Sequence, residues 1–394
     1  MRIGLVAQRY GEEVVGGAEL HARWIAQRLA RRHQVEVLTT CATDYLTWEN
    51  TYPPGETTVG GLPVRRFPVA RRRTREGFDP LTQKVHFFDH TEADERRWME
   101  EHGPVTPGLV KHLKAHQRAY DALVFVSYRY WTTFHGLQVA PSRSILVPTA
   151  EEDATVELRL FRDWFRLPAA YAFNSQEEKE LLLRVSGASD LPGEVVGVGI
   201  EDAPVVPADD VRRRLDLLGD FIVYVGRIER EKGCAQLFDY FLRYVREFAP
   251  HLMLVLIGRP VLPVPVHVNL RHLGVVSDAE KLGVIGAARM LVHPSPFESL
   301  SMALLEAWKM GRPALVNARC AVLRGQVQRA NGGLYYAGYE EFAETLGWLL
   351  AHPGEMEAMG RAGRAYFQAN YDWDVVMAKY DRLLAQVTSG PPSP

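Results

Sequence analysis

The strongest constraint on this chain is the way short apolar runs keep alternating with helical patterns. Arg2-Ile-Gly-Leu-Val-Ala reads as a buried strand and Gly16-Gly17 as a turn. Ala18, Ala22, Ile25 and Leu29 then share one helical stripe, and Val35-Glu-Val-Leu-Thr-Thr is a second strand. A strand, a crossover helix and a strand commit the chain to a mostly parallel sheet with helices on both faces. Further strands are expected at Ala122 to Val126, Ser144 to Val147, Ala169 to Phe173 and Glu194 to Val198, which completes one doubly wound domain. Near residue 200 the periodicity lapses into Val198-Gly-Ile-Glu-Asp-Ala-Pro-Val-Val-Pro, the composition of an exposed connection. The alternation then restarts. Strands are expected at Phe221 to Val225, Leu252 to Ile257, Val268 to Leu273, Met290 to His293 and Ala314 to Asn317, with a helix after Gly233.

The fold class is therefore α/β, with two Rossmann-like units: residues 1–200 and 201–371. Residues 372–388 form a final helix whose Val376, Tyr380, Leu383, Leu384 and Val387 need a surface to pack on, and the Pro-rich residues 389–394 are expected to be disordered. Two domains also suit 394 residues that are 47% hydrophobic. Lys plus Arg total 46 against 48 Asp plus Glu, a balance that argues against a nucleic-acid partner. No apolar run reaches the roughly 18 residues of a membrane helix, and no export signal is visible. Cys41, Cys234 and Cys320 are far apart and lack His or Cys neighbours at metal spacing, so the expected compartment is the cytoplasm and no metal site is expected. One basic run, Arg65, Arg66, Arg71, Arg72, Arg73 and Arg75, is either a solvated loop or a peripheral contact for anionic lipid headgroups or a phosphorylated acceptor.

Two clusters carry chemistry. In the first, a strand ends in Gly226-Arg-Ile-Glu-Arg-Glu-Lys-Gly233 and a helix follows. Ligands of open α/β sheets bind at the carboxyl ends of strands, and here Arg227, Lys232 and the free amides of a helix start favour a diphosphate. The segment has neither the Gly-Lys-Ser/Thr ending of a Walker loop nor a Gly-x-Gly-x-x-Gly fingerprint. The second cluster runs from His293-Pro-Ser-Pro-Phe to Glu298, through Ser299, Leu300 and Ser301, to Glu306, and stops at Gly311-Arg-Pro313. A helix is expected to open at about 301. Helical rise over the eight positions from Glu298 to Glu306 gives about 12 Å, beyond the roughly 5–9.5 Å of a hydrolase carboxylate pair. Two ends of one extended ligand fit that spacing better.

Taken in order, Gly16-Gly17, Phe173-Asn-Ser-Gln-Glu-Glu178, Gly226-Arg with Lys232-Gly, Leu273-Gly-Val-Val-Ser-Asp-Ala-Glu280, Glu298 with Glu306, and Gly311-Arg-Pro313 resemble the GT-B fold, retaining family 4 glycosyltransferases (glycosyl transferases group 1). The resemblance covers nearly the whole chain. It implies two Rossmann-like domains facing a cleft, with the last helix crossing back to the first domain. It assigns Arg227 and Lys232 to a donor diphosphate, Glu306 to the ribose hydroxyls and Glu298 to the donor sugar. Val275 and Val276 would offer backbone atoms to the base, and the amides of Gly16 and Gly17 would close over phosphate or sugar. The implied reaction moves a sugar from a nucleotide-sugar donor to an unidentified acceptor with retention of configuration, needing no cofactor.

Two departures from the family pattern stand out. Ser299, Leu300 and Ser301 replace the usual glycines after Glu298, which leaves the donor sugar open. Where relatives place a histidine, this chain has Pro148-Thr-Ala-Glu-Glu-Asp153, so Glu151 or Glu152 takes the sugar-side place or the loop is merely solvated. His135, among aromatics, reads as structural. Asp372-Trp-Asp374 mimics a metal-binding Asp-x-Asp, but its place before the last helix makes Asp372 a cap and Asp374 a dipole partner. The alternatives to transfer are a nucleotide-sugar epimerase or hydrolase and a non-catalytic nucleotide-sugar binding protein. A nicotinamide oxidoreductase is disfavoured by the missing fingerprint.

Overall fold

The computed structural model describes residues 1–14, 16–217 and 219–389. The chain divides into two compact units, one made of Met1–Val198 plus the segment from Val376 onward, the other of Gly199–Val375.

Among the described residues the first unit carries β1 (Arg2–Val6), β2 (Gln34–Thr40), β3 (Gly55–Val59), β4 (Leu62–Phe67), β5 (Ala122–Val126), β6 (Ser144–Val147), β7 (Ala170–Phe173) and β8 (Gly193–Val195). They lie in the order β3-β4-β2-β1-β5-β6-β7-β8, parallel except for the β3–β4 pair. Strand order reverses between β1 and β5, so the carboxyl ends of those two strands form the switch point where such sheets open a crevice. Ala122–Val126 is buried at every position, as a strand covered on both faces must be. Aromatic side chains fill one face: Trp98, Phe125, Tyr128, Phe134, Phe161, Trp164 and Phe165 belong to a single cluster.

The last helix, Trp373–Ser389, buries Tyr380, Leu383, Leu384 and Val387. Its charged side docks within the first unit through Asp381 on Arg32 at 2.7 Å and Arg382 on both Glu194 oxygens at 2.8 and 2.7 Å. Ser389, expected in the disordered tail, closes this helix; residues 390–394 lie outside the described residues.

The second unit carries β9 (Phe221–Val225), β10 (Met253–Ile257), β11 (Leu270–Gly274), β12 (Leu291–His293), β13 (Ala314–Asn317) and β14 (Gly333–Tyr336), all parallel in the order β11-β10-β9-β12-β13-β14. Its switch point falls between β9 and β12. Ile222, Tyr224, Phe238, Phe241, Leu254, Leu256 and Leu315 are among its core residues.

Several expected strands are displaced. Glu194–Val198 pairs only as Gly193–Val195, because the Val196 and Gly197 amides both turn onto the Phe173 carbonyl at 2.8 and 3.0 Å and end the ladder. Val268–Leu273 begins two residues late, at Leu270, because the Asn269 amide caps the Pro250 and Leu252 carbonyls at 2.8 and 2.7 Å and leaves Val268 in solvent. Arg65 and Arg66 are strand residues of β4 rather than loop residues, since β3 and β4 form a hairpin across Gly60-Gly61. β14 had no counterpart among the expected strands.

Candidate functional site

The switch point of the second unit gathers the first cluster. Arg227 and Lys232 follow β9, and Gly233 caps the helix Cys234–Glu247 in a left-handed conformation (φ 73°). A Cβ on Gly233 would run into the Pro294 carbonyl, so the loops after β9 and β12 approach each other closely only because this residue is glycine. Across that contact the Lys232 ammonium meets the Glu298 carboxylate at 2.8 Å. His293 Nε2 lies 3.8 Å from the same carboxylate, and burial together with the Lys232 charge pushes its pKa down to about 3, so it is a neutral ring. Arg227 is half exposed and pairs with Glu229 at 3.1 Å. Arg227, Lys232 and the start of the helix Cys234–Glu247 thus follow one strand end, where sheets of this kind bind ligands and where cations and a helix N-terminus favour a diphosphate.

Glu298 is not helical. It stands in the loop before the helix Met302–Lys309, which Ser301 caps by accepting the Leu304 amide at 3.1 Å. The expected 12 Å helical separation from Glu306 therefore does not apply, because residues 294–301, between β12 and the helix, are irregular. What separates the two glutamates is their partners. Glu306, 4% exposed, meets Lys281 at 2.7 Å, and Lys281 also holds Asp278 at 2.8 Å. Burial alone would lower the Lys281 pKa, but the two carboxylates carry it above the usual lysine range, while burial raises the pKa of Glu306 against the pull of Lys281. Val275 and Val276 come just before this lysine's helix, Asp278–Ala287, with Val275 80% exposed. Ser299 and Leu300 are half-buried in the Glu298 loop. Sequence reasoning singled out neither Lys281 nor His293 as a site residue; the partner of Glu306 lies on another helix and left no local signal.

In the first unit the structure places Gly16 and Gly17 at the start of the helix Gly17–Leu29, where Gly16 is the cap. The Glu19 side chain folds back over Gly16 so closely that a Cβ there would clash with its carboxylate. Arg9 at 2.5 Å and Gln8 at 2.8 Å hold that carboxylate. All three side chains are buried, and none was singled out by the sequence.

The loop after β6 treats its two glutamates differently. Glu152 lies on the surface in an ion pair with Arg184 at 2.7 Å, whereas Glu151 is half-buried. Glu178 anchors the loop. Only 1% exposed, it accepts the Ala150 amide and the Asn174 amide, each at 2.6 Å, and burial pushes its pKa up to about 8. The His135 ring lies tilted against Trp131, with centroids 4.4 Å apart, and 3.3 Å from Glu100.

The arginine run is largely engaged within its own unit. Arg65 bridges Glu36 at 3.0 Å and Glu56 at 2.8 Å, Arg66 lies buried over the Tyr52 ring, Arg71 meets Glu101 at 2.9 Å and Arg72 meets Glu49. Arg73 stacks on Phe78 and donates to the Leu46 carbonyl at 2.8 Å, while Arg75 opens the helix Arg75–Phe87. Asp372 immediately precedes the last helix and Asp374 lies in its first turn. Among the described residues no three His, Cys, Asp or Glu side chains gather at metal distance, and no helix is long and apolar enough to cross a membrane.

Residues 212–366 match the model of the family described as Glycosyl transferases group 1. A D-inositol 3-phosphate glycosyltransferase of Kribbella flavida is 29% identical over 225 residues, 51% of this chain and 53% of that protein. The chain spans about half the length of the curated relatives it matches. Among solved structures, sucrose-phosphate synthase from Thermosynechococcus elongatus superposes with a TM-score of 0.72 at 17% identity, covering 98% of this chain and 99% of that one. Anabaena HepE in complex with UDP-glucose gives a TM-score of 0.66 at 15% identity over 99% of this chain and 100% of that one. The fold is GT-B, and residues 212–366, within its second unit, match a glycosyl transferases group 1 domain.

Proposed function

We propose that this chain transfers a hexosyl group from a nucleotide-sugar donor to an acceptor with retention of anomeric configuration, as a family 4 glycosyltransferase. One observation carries the reading: the β9/β12 switch point sets Arg227 and Lys232 beside a helix N-terminus, with Glu298 2.8 Å from Lys232. Negative charge grows on the leaving diphosphate as the glycosidic bond breaks, and fixed cations at that place lower the barrier without moving. Arg227 and Lys232 hold the diphosphate, Glu306 accepts the ribose hydroxyls, and Val275 and Val276 meet the base. Glu298 with Ser299, Leu300 and Ser301 lines the sugar. The first unit binds the acceptor, with Gly16 and Gly17 closing over phosphate or sugar.

The two cations supply the positive charge a metal would otherwise bring, so the reaction proceeds without one. HepE's complex with UDP-glucose makes a uridine diphosphate sugar the first donor to test. The arginine run is proposed as a weak peripheral contact with anionic headgroups at the cytoplasmic face of a membrane, read by flotation with phosphatidylglycerol vesicles.

A thermal-shift panel of UDP-, GDP-, dTDP- and ADP-sugars tests the donor, since a ligand at 100 times its dissociation constant stabilises by about 2.7 kcal/mol. The responding donor is then offered with an acceptor panel, and the product's anomeric configuration is read by NMR. An isomerised nucleotide sugar or free sugar as sole product replaces transfer by epimerisation or hydrolysis. Binding without turnover across the panel reduces the protein to a binding module.

A further inference from the structure

The amino-terminal edge of the second unit's sheet, opposite the strand ends that lead into Arg227 and Lys232, gathers another group of cations. Arg289 stands two residues before β12 and Arg312 two residues before β13. Those strands pair with Leu291 opposite Ala314, and the Leu291 amide donates to the Pro313 carbonyl at 3.0 Å, so the two arginines lie level on neighbouring strands. Such strands are only about 5 Å apart. On the other side the Arg289 amide donates to the Phe221 carbonyl at 2.8 Å, and the Arg212 guanidinium lies over the Phe221 ring, 5.1 Å from its centroid. Three guanidiniums thus converge on one sheet end.

The fold uses only part of this charge. Arg212 donates to the Ala287 carbonyl at 2.5 Å and to the Gly219 carbonyl at 2.9 Å, and Arg312 donates to the Gly286 carbonyl, so both serve the carbonyl end of the helix Asp278–Ala287. A helix end carries about half a negative charge, which one arginine would answer. About two positive charges are left over by that count. Among the described residues the Arg289 side chain makes no hydrogen bond or ion pair, and the Nε atoms of Arg289 and Arg312 are both buried without a partner. Buried donors are seldom left so in a native protein, and each asks for an explanation. Burial, and then the charges of Arg212 and Arg289, hold the Arg312 pKa below the usual arginine range. Glu357 pulls the other way, but it also lies 3.9 Å from Arg361.

We propose that this sheet end is an anion site, separate from the diphosphate crevice, in which Arg289 and the remaining N–H groups of Arg312 bind a compact phosphate group, either inorganic phosphate or that of a small phosphomonoester. Charge selects the ligand. A phosphate group near pH 7 carries about −1.5 to −2, which matches the surplus, whereas a carboxylate would leave half of it. Shape agrees, because a guanidinium fork meets phosphate oxygens two at a time. Arg212, Arg289 and Arg312 are all half-buried, so an ion reaches them from solvent and still sheds part of its water.

The test is phenylglyoxal modification of the full chain, mapped by mass spectrometry, with inorganic phosphate, glucose 6-phosphate or sodium chloride at one ionic strength. At ten times its dissociation constant a phosphate ligand should slow modification of Arg289 and Arg312 by about 10-fold relative to chloride. Arg96, whose side chain is 67% exposed in the first unit, should react at one rate throughout. Protection by inorganic phosphate at the lower concentration identifies the free ion as the source, and protection by glucose 6-phosphate at the lower concentration identifies a phosphomonoester; both support the site. Protection of Arg227 alone reports the diphosphate crevice and overturns the proposal, as does equal protection by chloride. In Arg289→Gln the phosphate concentration that protects Arg312 should rise by about 10-fold to 150-fold, and unchanged protection of Arg312 overturns the proposal as well. The wild-type map needs no variant, so it decides the matter even where Arg289→Gln fails to fold.

Discussion

Replacing Lys232 by methionine separates what the ammonium does for the fold from what it does for the ligand. Methionine keeps most of the stem and removes the charge. The pair with Glu298 is 2.8 Å long, with side chains 23% and 11% exposed, so Coulomb's law at an effective dielectric of 20 gives about 6 kcal/mol before desolvation is subtracted. Pairs between the exposed and fully buried limits should lose about 2–3 kcal/mol when one partner is removed. The His293 ring 3.8 Å from the stranded Glu298 is neutral and supplies no compensating charge. Glu298→Gln in the same chain removes that stranded charge, and most of the stability should return. Nucleotide affinity should not return. A charge-assisted hydrogen bond to diphosphate is worth about 1.5–3 kcal/mol, or roughly 10-fold to 150-fold in Kd for UDP, and neither methionine nor glutamine supplies it. Urea denaturation and calorimetry on the two single variants and the double variant measure both quantities. Wild-type UDP affinity in Lys232→Met, or full recovery of affinity in the double variant, would refute the assignment of Lys232 to the diphosphate.

Other changes probe separate parts. Glu306→Gln should weaken plain UDP by about 1–3 kcal/mol, because the ribose loses a charged acceptor, while Lys281 keeps Asp278 at 2.8 Å; intact UDP affinity with transfer abolished would mean that the roles of Glu298 and Glu306 are exchanged. Burial lifts Glu178 from 4.5 to about 8, so between those values the folded chain holds a proton that the unfolded chain has released. Stability should therefore fall as pH rises through that window, by up to about 1.4 kcal/mol per unit. Glu178→Gln should flatten this slope in urea titrations from pH 5 to 8, and an unchanged slope would show that Glu178 is not its source. Asp372→Ala should cost about 0.5–2 kcal/mol with near-normal turnover in the folded fraction. Excess EDTA should leave the rate unchanged; collapse with EDTA and recovery with magnesium or manganese would restore Asp372 and Asp374 as metal candidates.

The parts of this molecule that local physics dictates were legible in the sequence. Ala122–Val126 has one reading as a strand buried on both faces, and Ser301 before an apolar helix has one reading as a cap. The β3–β4 hairpin was readable too, from Gly60-Gly61 between Thr57-Thr58-Val59 and Leu62-Pro-Val64, but the arginines within and after β4 drew attention to charge rather than to pairing. Partnerships made across the fold were hidden. Glu306 finds Lys281 on a different helix, and Glu19 closes over Gly16 because Arg9 pulls it there. Ser175 and Glu178 have the spacing of a capping box, yet the Glu178 carboxylate serves the Ala150 loop, since a buried amide from a neighbouring strand end competes for the same oxygens. The sequence spacing of Glu298 and Glu306 misled for a simpler reason: rise per residue is meaningful only inside a helix, and Glu298 precedes one.

The first unit is assembled from two stretches of chain separated by the whole of the second. During synthesis residues 1–198 must therefore wait, with the seat for Tyr380, Leu383, Leu384 and Val387 uncovered, while the second unit emerges and can fold as an uninterrupted segment. The order of maturation is then the reverse of the order of translation. A ribosome stalled before Val376, or a protease that trims the last helix, leaves an apolar trough and the unpaired cations and anions that Asp381 and Arg382 would have met. Quality control has a defined surface by which to recognise an unfinished chain, and chaperone occupancy on arrested chains should drop sharply once this helix clears the exit tunnel.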